Sequence, residues 1–368
     1  MSLMILSRLS RLGLGKPALV GRRSSNLLLL ISNDFSSSLM QKQTPPCYIH
    51  GAIPCGFNLG TLSICNANEL RVIDIDKKAP MDLVYNTPKV ATIGASHGWV
   101  ATLNEEGTLC LQDDLNPAAS DIEPKRIPLP PLVTLPHCQT NVVTNVAMST
   151  SSPEDEDCVV AVKFLGPQLS FCRPGHGDET FRIPGSGGHL IGSWDPCNPS
   201  DKPKLQSLRF QNFPPALRTR TDIRQRLDSC SKSEHLVESR TTGETFLVKW
   251  YKKTNEIKDG VAHMKTEYVQ VFKLDEEGNA VCTQDVGDLV IFLSKCEPFC
   301  VPAASFPGLL PNHVYTIDTH EVGFIDLGSM FITSLGGIND APFYISPQNI
   351  EEMESQSPSQ AAETESAC

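Results

Sequence analysis

Two stretches far apart in the chain are written almost alike. "WVATLNEEGTLCLQ" (Trp99–Gln112) and "YVQVFKLDEEGNAVCTQ" (Tyr268–Gln284) each run as an alternating apolar segment, an acidic turn closed by glycine (Gly107, Gly278), and a second alternating segment. Alternation with a period of two is the signature of a half-buried strand, and a glycine at the turn frees the backbone for left-handed geometry, so each stretch predicts a β-hairpin. Related patterns recur in "VVAVKFLGPQLSFC" around Gly166–Pro167, "HLVESRTTGETFLVKWY" around Gly243, and "HVYTIDTHEVGFIDL" around Gly323. "ELRVIDIDKKAPMDLVY" predicts a further pair with its turn at Lys77–Pro80.

A chain made of hairpins must bury one face of each and cover their edges. Radial stacking of blades does both, and strand pairs recurring at irregular intervals of roughly 35 to 75 residues suit a degenerate blade repeat. The expected fold is therefore all-β, a β-propeller of about six or seven blades over residues 46–346. A two-sheet sandwich is the alternative and calls for closer, more even strand spacing. "KRIPLPPLVTLP" (Lys125–Pro136) reads as an extended connector between blades. Residues 199–232 interrupt the β pattern, with a short helix expected in "RTDIRQRLDSC". Residues 347–368 are acidic, polar and nearly free of large apolar groups, the composition of a disordered tail.

The front of the chain, residues 1–45, is different in kind. On a helical wheel, Ile5, Leu6, Leu9 and Leu12 share one side, with Arg8 and Arg11 roughly opposite. Lys16, Arg22 and Arg23 extend the basic character, serines are frequent, and no acid occurs before Asp34. This is the composition of a cleavable organellar transit peptide, read by import machinery through Arg8, Arg11, Lys16, Arg22 and Arg23. The same basic residues break any apolar core that a secretory signal needs, and Leu27–Ile31 is too short to span a bilayer. Arginine on an amphipathic helix favours the mitochondrion, and the serine load keeps the chloroplast as the alternative. Cleavage is expected between Arg23 and Pro45.

Removing residues 1–25 takes away five positive charges and no negative one, so the formal charge of −11 becomes −16. That sign repels phosphate backbones, and nucleic acid is not an expected partner. Thirteen cysteines lack the regular spacing of a disulfide framework. Cys296 and Cys300 form a close pair without the second half that a zinc site requires.

Several motifs invite a chemical reading and fall short of it. "GSGGH" (Gly185–His189) lacks the Lys-Ser/Thr ending of a phosphate loop. "PGHGDE" (Pro174–Glu179) sets a histidine beside two acids but brings no nucleophile. Asp74 and Asp76 share a strand face without the other oxygens of a calcium loop. "RTRTDIRQR" (Arg218–Arg226) is the basic cluster behind the leader, and its interleaved Asp222 favours a charged helix face over an RNA or acidic-partner contact. Trp99, Trp194 and Trp250 are scattered, as core or rim residues would be. No catalytic, metal or cofactor residue is therefore expected.

With the hairpins in place, "GASHGWVATL", "RIPLPPL", "EHLVES…GETFLVKWY…VQVFKLDEEG", "GDLVIFLS" and "SFPGLLPNHVYT", in that order from about Ile93 to Leu327, resemble the plant domain-of-unknown-function (DUF) 295 family. That resemblance implies an F-box-associated, KIB-type β-propeller, and the basic leader looks like its organellar branch. Other members carry an F-box ahead of the propeller. Residues 1–65 have no helical module of that kind, so the ubiquitin-ligase adaptor role is not expected to transfer. The family brings no established catalytic residues. The expectation is an imported, monomeric, non-enzymatic protein-binding or scaffold module, without cofactor or membrane span. A propeller hydrolase would need acids and histidine gathered at the channel mouth, and an adaptor would need cytosolic residence.

Overall fold

The computed structural model describes residues 43–85, 90–104, 108–120, 122–129, 143–155, 158–164, 169–172, 181–185, 187–194, 204–258, 260–337 and 343–348. The chain forms its sheets one after another. β1 (Cys47–Gly56), β2 (Leu59–Asn66) and β3 (Arg71–Pro80) make an antiparallel meander, followed by the single-turn helix α1 (Met81–Val84). β4 (Val90–Ser96), β5 (Trp99–Asn104), β6 (Leu109–Gln112) and β7 (Arg126–Pro128) make the second sheet. β8 (Val143–Met148), β9 (Val160–Phe164) and β10 (Leu169–Cys172) make the third, and β11 (Phe181–Pro184), β12 (Leu190–Trp194) and β13 (Lys204–Ser207) the fourth.

The fifth sheet begins with an outer strand, β14 (Arg209–Gln211). The helices α2 (Pro215–Thr219) and α3 (Thr221–Asp228) follow, then β15 (Ser231–Glu238), β16 (Thr245–Lys258), β17 (Val261–Leu274) and β18 (Asn279–Thr283). β14 pairs parallel to β18. The sixth sheet holds β19 (Leu289–Leu293), β20 (Phe299–Pro302), β21 (His313–Asp318), β22 (Glu321–Asp326) and β23 (Phe331–Gly336), with β19 parallel to β21. The last strand, β24 (Tyr344–Ile345), returns to the first sheet and pairs with Cys47 and Tyr48 of β1.

Apolar faces join most sheets to the next, and the third meets the fourth where the Lys163 ammonium donates to the Pro184 carbonyl at 3.2 Å. Trp99, Leu109 and Leu111 of the second sheet pack on Val146, Val160 and Phe164 of the third. Ile191 of the fourth packs on Leu247 and Phe272 of the fifth. Phe246, Val248 and Trp250 of the fifth meet Leu289, Ile291 and Val314 of the sixth. Ile49, Leu62 and Tyr344 of the first share a core with Ala95 of the second and Phe292 and Tyr315 of the sixth. The succession therefore closes on itself, which is the arrangement of a β-propeller and excludes the two-sheet sandwich. Phe246, Phe272 and Phe292 are fully buried; burying a side chain of this size contributes about 2–3 kcal/mol.

Three expectations are corrected. "ELRVIDIDKKAPMDLVY" is not a hairpin, because Arg71–Pro80 is one strand paired to β2. Lys77 sits inside that strand, and its ammonium donates to the carbonyls of Ala119 and Ser120 at 2.9 and 2.8 Å. The turn of the 313–326 hairpin lies between Asp318 and Glu321, not at Gly323. Gly323 occupies a bulge in β22, where an added Cβ would stand 2.4 Å from the Thr333 carbonyl oxygen. The blade count also departs slightly from the six or seven expected, because not all six sheets are full blades. Among the described residues four sheets hold four or five strands, while the third and fourth hold only three.

Candidate functional site

The β4–β5 connection is a two-residue turn, His97–Gly98, with both residues left-handed (φ 50° and 84°). That geometry matches the twist of a tight hairpin, and an added Cβ at Gly98 would press on the Asn116 amide at 2.7 Å. Trp99, 7% exposed, anchors the turn in the core below. Ser96 and His97 are thereby held at one end of the second sheet.

Segments from three other sheets meet them. The loop between β19 and β20 is pinned to β4 by the Glu297 amide, which donates to the Ala95 carbonyl at 2.8 Å. The Glu297 carboxylate then accepts from the Ser96 hydroxyl at 2.5 Å. The β15–β16 turn brings the exposed Arg240, whose guanidinium lies 3.0 Å from His97 Nε2. From the third sheet, the Met148 amide donates to Ser96 Oγ at 3.2 Å.

These contacts determine where the protons sit. A guanidinium can only donate, so His97 Nε2 accepts from Arg240 and the ring proton resides on Nδ1. Nδ1–H then donates to Ser96 Oγ at 2.9 Å, and the hydroxyl passes its own proton toward Glu297. Burial, and next the Arg240 charge, lower the His97 pKa to about 4, so the ring is neutral at physiological pH. Burial raises the Glu297 carboxyl, opposed by the Ser96 bond, the Met148 amide and Arg240. The result is a directed chain from a cation, through two neutral groups, to a carboxyl.

Serine, histidine and glutamate thus come together, the kind of gathering a hydrolase would use, but their order differs from that of a nucleophile and its base. In such a pair the histidine withdraws the serine proton, with an acid on the far nitrogen. Here the histidine donates to the serine, and a guanidinium holds its far nitrogen. The serine oxygen already accepts two hydrogen bonds and donates a third. The arrangement joins four sheets at one end and sets Arg240 at its edge. A crevice of about 20 Å³, room for about one water, lies alongside and is lined by Ala95, Ser96, His97, Glu297, Phe299 and Ser346.

The residues singled out in the sequence lie elsewhere. Arg8, Arg11, Lys16, Arg22 and Arg23 are outside the described residues, as are Pro174–Glu179 and the chain from residue 349 onward. The glycine motif packs against Glu234 and Lys249, and the Lys249 ammonium donates to the Gly187 carbonyl at 2.9 Å. A phosphate loop instead turns amide hydrogens toward its ligand. Asp74 and Asp76 are exposed on β3, and Asp74 accepts from Ser63. Trp250 is core, with Nε1 donating to Thr266, while Trp194 belongs to β12. The Cys296 and Cys300 thiols are pushed up by burial, each to about 11. No group of three or more His, Cys, Asp or Glu side chains fit to hold a metal occurs among the described residues, and no described helix is long and apolar enough to cross a membrane. Sequence reasoning missed Ser96, His97, Arg240 and Glu297 as a group. The available signal was the histidine-glycine turn in "GASHGWVATL"; its partners lie 143 and more residues away.

Comparison with curated proteins finds no match. Among protein families, the one described as KIB1-4 beta-propeller matches residues 70–332, a span that includes all four clustered residues, the second to fifth sheets in full and the sixth up to the first two residues of β23. The hairpin series, the closed succession of sheets and this match agree, and the chain belongs to the KIB1-4 β-propeller family.

Proposed function

We propose that the protein is a non-enzymatic protein-binding or scaffold module that works inside an organelle, with the Ser96–His97–Arg240–Glu297 end as its contact surface. The observation that carries this reading is the convergence of four sheets on an exposed guanidinium, with the only hydroxyl of the group already engaged. A surface fixed by hydrogen bonds between blades loses little conformational entropy on binding, and an arginine at its edge suits a carboxylate or carbonyl of a partner. The basic, leucine-segregated leader supports import, with the mitochondrion as destination and the chloroplast as the alternative. The protein acts as a monomer and needs no cofactor.

The test combines address and contact. A fluorescent fusion of the first 60 or so residues is expected to enter mitochondria. From those organelles, tagged protein is expected to retain a reproducible partner that Arg240→Glu releases while the unfolding midpoint stays unchanged. A fusion left in the cytosol, or a partner set identical with and without the substitution, overturns the reading.

A further inference from the structure

Between the first two sheets a polar face is turned inward. Register sets Thr102 opposite Cys110 and Gln112 opposite Arg126, and alternation along β5 and β6 adds Asn104 and Thr108 to the same face. The other face of these strands carries Ala101, Leu109, Leu111 and Ile127 into the apolar core shared with the third sheet. The polar face instead borders a cavity of about 250 Å³, whose remaining walls are Pro80, Asp82 and Leu83 at α1 and Val90 of β4.

The polar groups of this cavity are fixed in place but not fully matched. Thr102 and Gln112 are buried, at 4% and 8% exposure. The Thr102 hydroxyl donates to the Cys110 carbonyl at 3.4 Å, so its oxygen is left to accept, and Gln112 Nε2 donates to it at 2.6 Å. That sets the orientation of the amide, and Gln112 Oε1 accepts no hydrogen bond among the described residues. A buried acceptor without a donor is costly, so a group that supplies one is favoured there. Asn104 Oδ1 takes the Thr108 amide at 2.7 Å, which leaves Nδ2 to donate. Arg126 grips the buried Asp114 through Nε and Nη2 at 3.1 and 2.8 Å, which leaves Nη1. Asp82 meets no cation among the described residues.

This set has a chemical preference. Gln112 Oε1 and Asp82 call for donors, while Asn104 Nδ2 and Arg126 Nη1 call for acceptors. A hydroxyl is both, so a small ring bearing several hydroxyls answers every one of them. An ammonium answers only the acceptors. An anion is repelled by Asp82 and must compete with Asp114 for Arg126. No aromatic side chain lines the cavity among the described residues, so a nucleobase finds nothing to stack on, whereas Pro80, Leu83 and Val90 suit the C–H face of a saturated ring. The volume falls below that of a site for a drug-sized ligand and suits one such ring.

We propose that this cavity is a binding site for a small neutral polyol, a monosaccharide or cyclitol, with Gln112 and Asp82 accepting from its hydroxyls and Asn104 and Arg126 donating to them. It shares no residue with the Ser96–His97–Arg240–Glu297 end, and neither reading rests on the other.

The test uses the full chain. Cys110 lines the cavity and Cys55 is exposed on β1, so alkylation by iodoacetamide, followed thiol by thiol with mass spectrometry, reports occupancy against an internal reference. D-Glucose and myo-inositol are the probes. At least one of them, at about ten times its half-saturating concentration, is expected to slow Cys110 alkylation about tenfold and to leave Cys55 unchanged. Asp82→Ala is expected to raise the half-saturating concentration at least about tenfold with the unfolding midpoint retained. Gln112→Met is expected to abolish protection, and Asn104→Ala supplies a second readout on the same sheet face if the Gln112 variant does not fold. Protection by neither polyol, or protection unchanged by Asp82→Ala, overturns the proposal. So does stronger protection by putrescine, glycine or inorganic phosphate than by either polyol.

Discussion

Two histidines show how burial sets chemistry residue by residue. His97 and His235 have unperturbed values of 6.5; burial first, and nearby cations second, lower them to about 4 and about 3. His235 also bonds the Ser233 hydroxyl at 2.9 Å. Both rings fold uncharged, so the unfolded chain binds more protons than the folded one below pH 6.5. Their contribution is complete above that pH and is lost as pH falls toward 4. Glu297, raised by burial, acts with the opposite sign, because its folded form holds a proton that the unfolded form releases above pH 4.5. Two histidines outweigh one carboxyl, so denaturant midpoints are expected to fall steadily from pH 6.5 to 4. His235→Asn is expected to flatten that slope. A midpoint level across this range contradicts the assignment.

Turns, more than strands, determine how neighbouring elements meet. Gly308 lies before β21 with φ 102°, and an added Cβ would stand 2.4 Å from the Asn68 carbonyl oxygen in the β2–β3 turn. The adjacent contact, Asn68 Nδ2 to the Pro307 carbonyl at 3.1 Å, ties the first sheet to the sixth. Gly260, at the tip of the long β16–β17 hairpin, shares a left-handed φ of 79° but faces open space. Gly260→Ala therefore carries only the backbone penalty, about 1–2 kcal/mol. Gly308→Ala must also move backbone across a sheet boundary and is expected to cost about 2–4 kcal/mol. Chemical denaturation of the two variants checks the order. The same logic explains Gly323, whose place in "HVYTIDTHEVGFIDL" suggests a turn when it in fact relieves a bulge.

For the whole molecule, the decisive contact is the return of the chain to its beginning. Tyr344 is 3% exposed and stacks edge-on against Tyr48 and Phe292 at 5.8 and 5.1 Å, so one ring joins the first sheet, the last strand and the sixth sheet. Tyr344→Ala is expected to cost about 3–5 kcal/mol through the cavity it leaves. A chain ending at Phe343 is expected to lose its single cooperative unfolding transition, while one ending at Gln348 retains it. Calorimetry distinguishes the two, and equal cooperativity would show that β24 does not close the ring.

Local alternation and turn glycines were sufficient to place the hairpins at 99–112, 235–251 and 268–284, and the helix in "RTDIRQRLDSC". Those features depend on periods of 2 and 3.6 residues and on φ preferences that each residue carries with it. Tertiary structure alone decided that Lys77 lies within a strand, because its ammonium finds carbonyls 42 and 43 residues away. It alone brought Ser96, His97, Arg240 and Glu297 together, since hydrogen-bond partners up to 201 residues apart leave no periodic trace in the sequence between them. A strand's pattern is written where the strand is; a site built by closing a ring exists only once the two ends have met.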